Sequence, residues 1–389
     1  MKIAYLSAST IPSRAANSVH VMKMCQAFAQ LGHEVTLYAP DSAAETDAAA
    51  RADCHARYGV AGNFDIRWVW WSRILGRQYT SGLVAAQAAR RAGAQIALAR
   101  CLPSALFAAR AGIPVMFEYH QPISDSGRLS RLNEWMFRQL IATPAFLGLI
   151  SITHALKAHF LEHYPQLEGR ILVAPDGADP FPPGVVPAQL DARPGRLQVG
   201  YVGQLFAGKG MEVVAELCKA APFADFHVVG GLEHDIARWR EALAGQQNIS
   251  FHGFVPHVRT AEFIAAFDVV LLPNQNRITW HKAGGDIGRW TSPLKMFEYM
   301  AAGKPIISSD VAVLREVLED GRNALLCPPE DTSAWVAALH RLDDPSLRDQ
   351  LGQQALADFE HHYSWRRRAD RILTHHATAS DARTAEARA

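Results

Sequence analysis

The stretch VGQLFAGKG, Val202 to Gly210, sets two glycines and a lysine in the order of a phosphate-binding loop. A P-loop reads G-x-x-x-x-G-K-[ST], and its last hydroxyl holds Mg²⁺ against a nucleoside triphosphate. Here Lys209 is followed by Gly210, which has no hydroxyl. The acidic residue such hydrolases need at a strand end is also misplaced, because Asp268 opens the strand-like run DVVLLP instead of closing it. ATP or GTP hydrolysis is a poor reading. Two readings of the loop remain: a cradle for another kind of phosphate, or a glycine-rich turn with a solvated lysine.

A second segment bears on that choice. In WTSPLKMFEYMAAGKP the pair Ser292-Pro293 predicts a helix start, with Pro293 in the first turn. Met296, Phe297, Met300 and Ala301 give that helix an apolar face, and Gly303 ends it. Backbone N–H groups near Ser292 and Leu294 would then point at an anion. Lys295 adds charge beside them, and Glu298, one helical turn on, offers a carboxylate to sugar hydroxyls. In the first half, His120 closes the strand-like run IPVMFEYH. Glu118 shares its side of that strand and either orients His120 or pairs with Arg100. Asn17 and Ser18 precede VHVMKMCQAF and read as helix N-cap residues, with Ser13 in the same polar loop. No Asp-x-Asp falls in a loop suited to Mg²⁺, and no pair of carboxylates reads as nucleophile plus acid.

The elements that must position these groups alternate. KIAYLSAS reads as a buried strand, VHVMKMCQAFAQ as a helix and EVTLYAP as a second strand, which is a βαβ unit with parallel strands. AQIALAR, IPVMFEYH and FLGLISIT continue the pattern. Residues 174–196 hold six prolines and read as a linker. Strand and helix patterns then restart with LQVGYVG, MEVVAELCKA, DFHVVGG, ISFHGF and DVVLLP. The prediction is an α/β chain of two Rossmann-like, doubly wound domains, residues 1–175 and 176–360. A C-terminal helix over 361–378 packs back on the first domain, and a disordered tail follows over 379–389, where large apolar side chains are lacking. In such sheets ligands sit at the carboxyl ends of strands. That draws attention to the loops Ala8–Ser18, Tyr119–Ser126, Gly203–Gly210, Gly230–Asp235 and Pro273–Leu294.

Composition removes several classes. The 389 residues exceed one ordinary core, and 49% hydrophobic with 20% charged residues is globular. A formal charge of +1 gives no bulk reason to bind nucleic acid. Cys25, Cys54, Cys101, Cys218 and Cys327 are scattered and lack C-x-x-C spacing, so reduced thiols in a cytoplasmic protein are expected. The start MKIAYLSAST is unlike a signal peptide, and the longest apolar run, Leu140 to Thr153, is broken by Pro144 and Gly148. The first βα turn has no glycine, which argues against a dinucleotide-binding dehydrogenase.

With these segments in view, the chain resembles the retaining glycosyltransferases of family 4, which have the GT-B fold. APDGAD, VGQLFAGKG, FHGFVP, SPLKMFEYMAAGKPIISSD, EVLEDGRNALLCPPED and YSWRRRAD carry the resemblance in the second half. ANSVHVMKMCQAFAQLGHEVTLYAP and FEYHQP carry it in the first. The resemblance implies two domains facing a central cleft and a nucleotide-diphosphate sugar as donor, linked to UDP, GDP or ADP. Lys209 matches a diphosphate-binding lysine, with Gly203 and Gly210 framing its loop. The usual companion arginine is Gln204 here. Glu298 matches the second glutamate of the E-x7-E motif, which takes the ribose, while the first glutamate position holds Trp290; Asp286 is a candidate stand-in. Backbone amides of Ser292 and Leu294, aided by Lys295, match the diphosphate contacts. Phe254 and Val255 match the base-lining segment. His120 matches a histidine on the donor sugar, and Ser13, Asn17 and Ser18 lie in the acceptor and phosphate loop.

The activity implied by the resemblance is a metal-independent, retaining transfer with no cofactor, in which Lys209, helix amides and Lys295 replace a divalent ion. The acceptor is expected to be a saccharide or a lipid-linked one. The run RWVWWSRILGRQY packs three tryptophans with three arginines, which suits contact with the inner face of a membrane, or else a plain strand with a basic turn. Two rival functions share the fold: a catalytically silent nucleotide-sugar sensor or scaffold, and a nucleotide-sugar epimerase.

Overall fold

The computed structural model describes residues 1–41, 48–72, 74, 76–123, 129–278 and 286–386. They form two units, Met1–Asp176 with Trp365–Ala389, and Gly177–Ser364. The loops expected at Tyr119–Ser126 and Pro273–Leu294, the RWVWWSRILGRQY run and the tail all extend in part outside the described residues.

The first unit is a parallel sheet of β1 (Lys2–Leu6), β2 (Glu34–Pro40), β3 (Asp65–Val69), β4 (Ile96–Ala99), β5 (Val115–Tyr119), β6 (Phe146–Ser151) and β7 (Ile171–Val173). Their order is 3-2-1-4-5-6-7. The second is a parallel sheet of β8 (Leu197–Val202), β9 (Ala224–Val229), β10 (Ile249–Gly253), β11 (Val269–Leu272), β12 (Ile306–Ser309) and β13 (Leu325–Cys327), in the order 10-9-8-11-12-13. Both orders reverse once, between β1 and β4 and between β8 and β11. In a doubly wound sheet that reversal leaves a crevice at the strand carboxyl ends.

Sequence explains the layering. β8 and β9 are buried at every residue, as expected of strands covered by helices on both faces, whereas the edge strand β10 is only partly buried. Val199, Val269 and Leu271 face a core closed by the Met211–Ala220 and Thr332–Arg341 helices, with Trp335 at its centre. Val270 and Leu272 face the opposite core, built on Met296, Phe297 and Met300.

Several expectations change. β7 and β13 have three residues each, too short for a period to show. The proline-rich stretch packs on the second unit instead of standing free. Ala188 N–H donates to Glu262 O at 2.8 Å, and Arg193 Nε donates to Asp225 at 2.9 Å. Asp176 belongs to the first unit. The last helix runs from Trp365 to Glu386, starting later than residue 361 and continuing through a segment expected to be disordered. Its composition accounts for this: alanine, arginine and glutamate favour helix, and neither glycine nor proline occurs after Trp365. No described helix is long and apolar enough to cross a membrane.

Candidate functional site

In the second unit the loop after β8 is drawn tightly against the loop after β11. The Tyr201 hydroxyl lies 2.6 Å from Gln204 O and 3.1 Å from Lys209 O, so one buried phenol clamps both ends of the loop. Gln275 N–H donates to Gly208 O at 2.9 Å. Gly208 and Gly210 have φ of +84° and +104°, and a Cβ would fall 2.3 Å from Arg277 O at the first and 2.2 Å from Pro273 O at the second. Both positions therefore require glycine, on conformation and on space. Gly210 is also the N-cap of the Met211–Ala220 helix. The glycines that suggested a phosphate loop thus serve loop packing as well.

Lys209 rises from this loop with its ammonium 5.4 Å from the centre of the Phe206 ring, and burial lowers its pKa to about 8. Lys295 lies in the first turn of the Leu294–Ala301 helix, where Pro293 is the N-cap and not a first-turn residue. Its ammonium sits 3.9 Å from the centre of the Tyr201 ring, buried and without a hydrogen-bond partner. Burial and then the charge of Lys209 push the Lys295 ammonium well below the usual lysine range. Among the described residues neither ammonium group makes a hydrogen bond or an ion pair. Two crowded, desolvated ammonium groups beside a helix N-terminus can hold an anion.

Other expected residues fall into place around them. Ser292 is buried just before the helix, and Leu294 is its first residue. Glu298 Oε1 lies 2.7 Å from His257 Nε2, so the carboxylate already has one partner on the loop after β10. Phe254 is 43% exposed on that same loop, and Val255 packs partly on the core. Asp286 does not stand in for the missing glutamate. Its Oδ1 accepts from Ile278 N and Gly288 N at 3.0 and 2.8 Å, which ties a turn together. Trp290 is buried at the position where the family carries its first glutamate. Asn274 was missed: it lies just past β11, is 1% exposed, and neither of its amide atoms has a hydrogen-bond partner among the described residues. Its signal was one polar residue directly after the apolar run VVLLP.

The first unit gathers a different cluster. The buried Glu118 carboxylate reaches His120 Nε2 at 2.7 Å, His20 Nε2 at 3.1 Å, Arg368 Nη2 at 3.1 Å and Arg100 Nε at 3.5 Å. Glu118 therefore both orients His120 and pairs with Arg100. Burial alone would raise its pKa, yet Arg368, His20 and Arg100 hold it well below the carboxylate range. His120 is pushed down to about 4 by burial and by Arg100. His20 also reaches Asp176 at 2.8 Å through Nδ1 and lies edge-on to Trp365. In the sequence His20, Asp176 and Arg368 are only members of the strings VHV, APDGAD and SWRRRAD. Their meeting is a tertiary fact. His20, Glu118, His120 and Asp176 present atoms within 4.8 Å of one another, but the guanidinium of Arg368 already occupies the charge balance of that set.

Asn17 and Ser18 are not N-cap residues. The helix begins at Ala16 with Ala15 as its cap, and the Ser18 hydroxyl turns back to donate to Ala15 O at 2.7 Å. Asn17 Nδ2 donates to Ser9 Oγ at 2.6 Å, and Ser13 Oγ donates to Ser18 Oγ at 3.0 Å. These contacts order the loop after β1.

Two doubly wound parallel sheets, one carrying a glycine-rich loop and two unpaired ammonium groups at its reversal point, define the nucleotide-handling class of two-domain α/β proteins. Residues 196–344 match the model for Glycosyl transferases group 1, and residues 18–180 match that for Glycosyltransferase Family 4. The chain belongs to the family 4-type glycosyltransferases. It is 27% identical over 173 residues to alpha-D-kanosaminyltransferase of Streptomyces kanamyceticus, an alignment covering 43% of this chain and 41% of that protein. The alignment thus spans about two-fifths of that relative. The fold is that of sucrose-phosphate synthase from Thermosynechococcus elongatus, with a TM-score of 0.72, 16% identity, and coverage of 98% of this chain and 99% of that one. It is also that of HepE from Anabaena, solved in complex with UDP, with a TM-score of 0.71, 15% identity, and coverage of 97% and 100%. The architecture is GT-B.

Proposed function

We propose that the protein transfers a sugar from a nucleotide-diphosphate sugar to an acceptor hydroxyl, with retention at the sugar carbon and without a divalent metal. The observation that carries this reading is the pair Lys209 and Lys295, two ammonium groups with no ion-pair partner among the described residues, that of Lys295 buried in the first turn of a helix. An unpaired buried ammonium is costly, and a diphosphate would relieve it. In this reading the two lysines and the amides of Ser292 and Leu294 hold the diphosphate. Glu298, steadied by His257, takes the ribose, and the Phe254–Val255 loop lines the base. Among the described residues of the second unit no three His, Cys, Asp or Glu side chains come within mutual ligating reach. Fixed ammonium groups and amides then neutralise the leaving group, an effect commonly worth several kcal/mol.

The step balances without a protein nucleophile. The acceptor oxygen forms a bond to the sugar carbon on the face that the diphosphate leaves, the carbon–phosphate oxygen bond breaks, and that oxygen takes the acceptor's proton. His120, pushed down to about 4 and so neutral near pH 7, is read as a sugar-contacting group. HepE was solved with UDP, so UDP sugars are the first donors to test. We place the acceptor among saccharides or lipid-linked saccharides, in work at the inner face of a membrane; Trp70, 65% exposed just past β3, supports a surface contact there.

The test is Lys209→Ala. Turnover of the sugar donor should fall about 100-fold or more, the size seen when one charge-stabilising donor is removed, while the melting temperature stays near wild type. Activity should survive EDTA. Full turnover in the variant, or loss of activity to EDTA, would defeat the reading. Buried Trp290 in place of a sugar-binding glutamate favours one second reading, a nucleotide-sugar-binding protein that does not turn over; tight donor binding without transfer or hydrolysis would select it.

A further inference from the structure

We propose that Arg368, on the Trp365–Glu386 helix, is a positioning residue that acts through Glu118 to hold the His120 ring in one tautomer and one orientation. This rests on the reading of His120 as a donor-contacting group. Arg368 is 2% exposed, a long cation placed where only specific partners justify it. Its Nε donates to Pro175 O at 2.9 Å, its Nη2 to Ala174 O at 3.1 Å, and its Nη1 to Glu118 Oε2 at 3.3 Å. The planar fork is thereby fixed by the chain end of the first unit and aimed at one carboxylate.

Donor counting carries this to His120. A guanidinium only donates, so Glu118 beside Arg368 is kept ionised and only accepts. The ring nitrogen that meets Glu118 must then carry the hydrogen, which makes His120 the Nε2–H form. Arg100 Nη2 lies 2.7 Å from Nε2 and 3.1 Å from Nδ1; because the Glu118 carboxylate can meet only a ring N–H, Nε2 gives it the hydrogen and Nδ1 is left as the acceptor open to Arg100. Every charged or titratable neighbour of Glu118 enters this balance: Arg100 after β4, Tyr5 on β1, His20 and Cys25 on the Ala16–Gln30 helix, Asp176 after β7, and Arg368 itself. Of these, Arg368 and Arg100 are the permanent cations. Arg100 touches both ends of the His120–Glu118 pair, whereas Arg368 touches Glu118 alone. Removing Arg368 therefore reaches His120 chiefly by way of Glu118, the group hydrogen-bonded to both.

The experiment uses the full-length protein labelled with ¹⁵N, with long-range ¹H–¹⁵N spectra of His120 assigned by comparison with His120→Gln. In the wild type the ring should be the Nε2–H tautomer, with a midpoint near 4. In Arg368→Met a second tautomer should appear and the midpoint should fall, because a less firmly ionised Glu118 gives the His120 proton less support. Turnover should fall about tenfold at unchanged UDP affinity, a split that mere loosening of the fold would not give. An unchanged tautomer and midpoint in Arg368→Met overturn the proposal. Should that variant fail to fold, Arg368→Lys keeps the charge and removes the fork: a second tautomer or a moved midpoint supports the proposal, and an unmoved signal overturns it. The spectra do not require activity. A wild type that shows the expected His120 signal but transfers no sugar would sink the functional reading and leave this one standing.

Discussion

The lysine pair of the second unit and the Glu118 cluster of the first both take charge out of water, and they settle it in opposite ways. Glu118 is surrounded by Arg368, Arg100, His20 and His120, so its cost of burial is met inside the protein. Lys209 and Lys295 have no such partners among the described residues, and each is left with a depressed affinity for its proton. A cluster that is neutralised internally fixes geometry. A cluster left uncompensated holds a place for a ligand and is strained until that ligand arrives. Deleting one buried charge should therefore have opposite effects on stability in the two units.

The largest effect is expected at the neutralised cluster. Glu118→Gln leaves Arg368, Arg100 and His20 around a group with no negative charge. Breaking a buried ion pair by removing one partner costs about 3–5 kcal/mol. Chemical denaturation should show a loss of that size, together with release of the Trp365–Glu386 helix from the first unit as read by amide hydrogen exchange. A loss below about 1 kcal/mol would mean that the cluster is wetter and weaker than its geometry implies, and the comparison would collapse.

The same deletion at the open cluster should stabilise. Lys295→Met removes a buried ammonium that has no hydrogen-bond partner and keeps an unbranched side chain over the Tyr201 ring. Replacing an uncompensated charge by an apolar group of similar length should gain about 1–2 kcal/mol, seen as a higher melting temperature without ligand. Nucleotide should protect this variant less than it protects wild type, because part of the anion site is gone. A lower melting temperature without ligand would show that Lys295 is structural and that the site is not poised for an anion.

The two clusters also differ in how far the sequence reveals them. Lys209, Lys295 and Glu298 lie in short, contiguous strings whose glycines and helix signals announce their setting. The parallel sheets were equally readable, because βα alternation with fully apolar strands leaves few alternatives. The Glu118 cluster joins residues 20, 118, 120, 176 and 368, which come together only when four separate segments pack. Nothing in periodicity links Arg368 to Glu118 across 250 positions. Asp286 failed for a related reason. A carboxylate near the right position looks available in sequence, but a turn whose amides need an acceptor claimed it first. Asn17 and Ser18 failed on helix phase, since a cap two or three residues earlier turns each into a first-turn side chain.

The smallest expected effect lies at Gln204, where a neutral amide stands in the position of a cation. Its carbonyl is held by Tyr201 at 2.6 Å, so the backbone is set and the side chain can be changed without moving the loop. Gln204→Arg would add a planar, bidentate donor for phosphate oxygens. Against that gain stands repulsion from two ammonium groups that are already desolvated, and the new side chain is partly exposed and screened by salt. The net should be modest: UDP affinity rises about threefold at low salt and returns to the wild-type value near about 0.5 M salt, because exposed charge contacts contribute only about 0.5–1 kcal/mol. Calorimetric titration at two ionic strengths measures it. Weaker binding at low salt would mean that repulsion among the three cations outweighs the phosphate, or that the phosphate lies elsewhere. Repeating the titration in the Lys295→Met background separates these, since removing one neighbour restores the gain only in the first case.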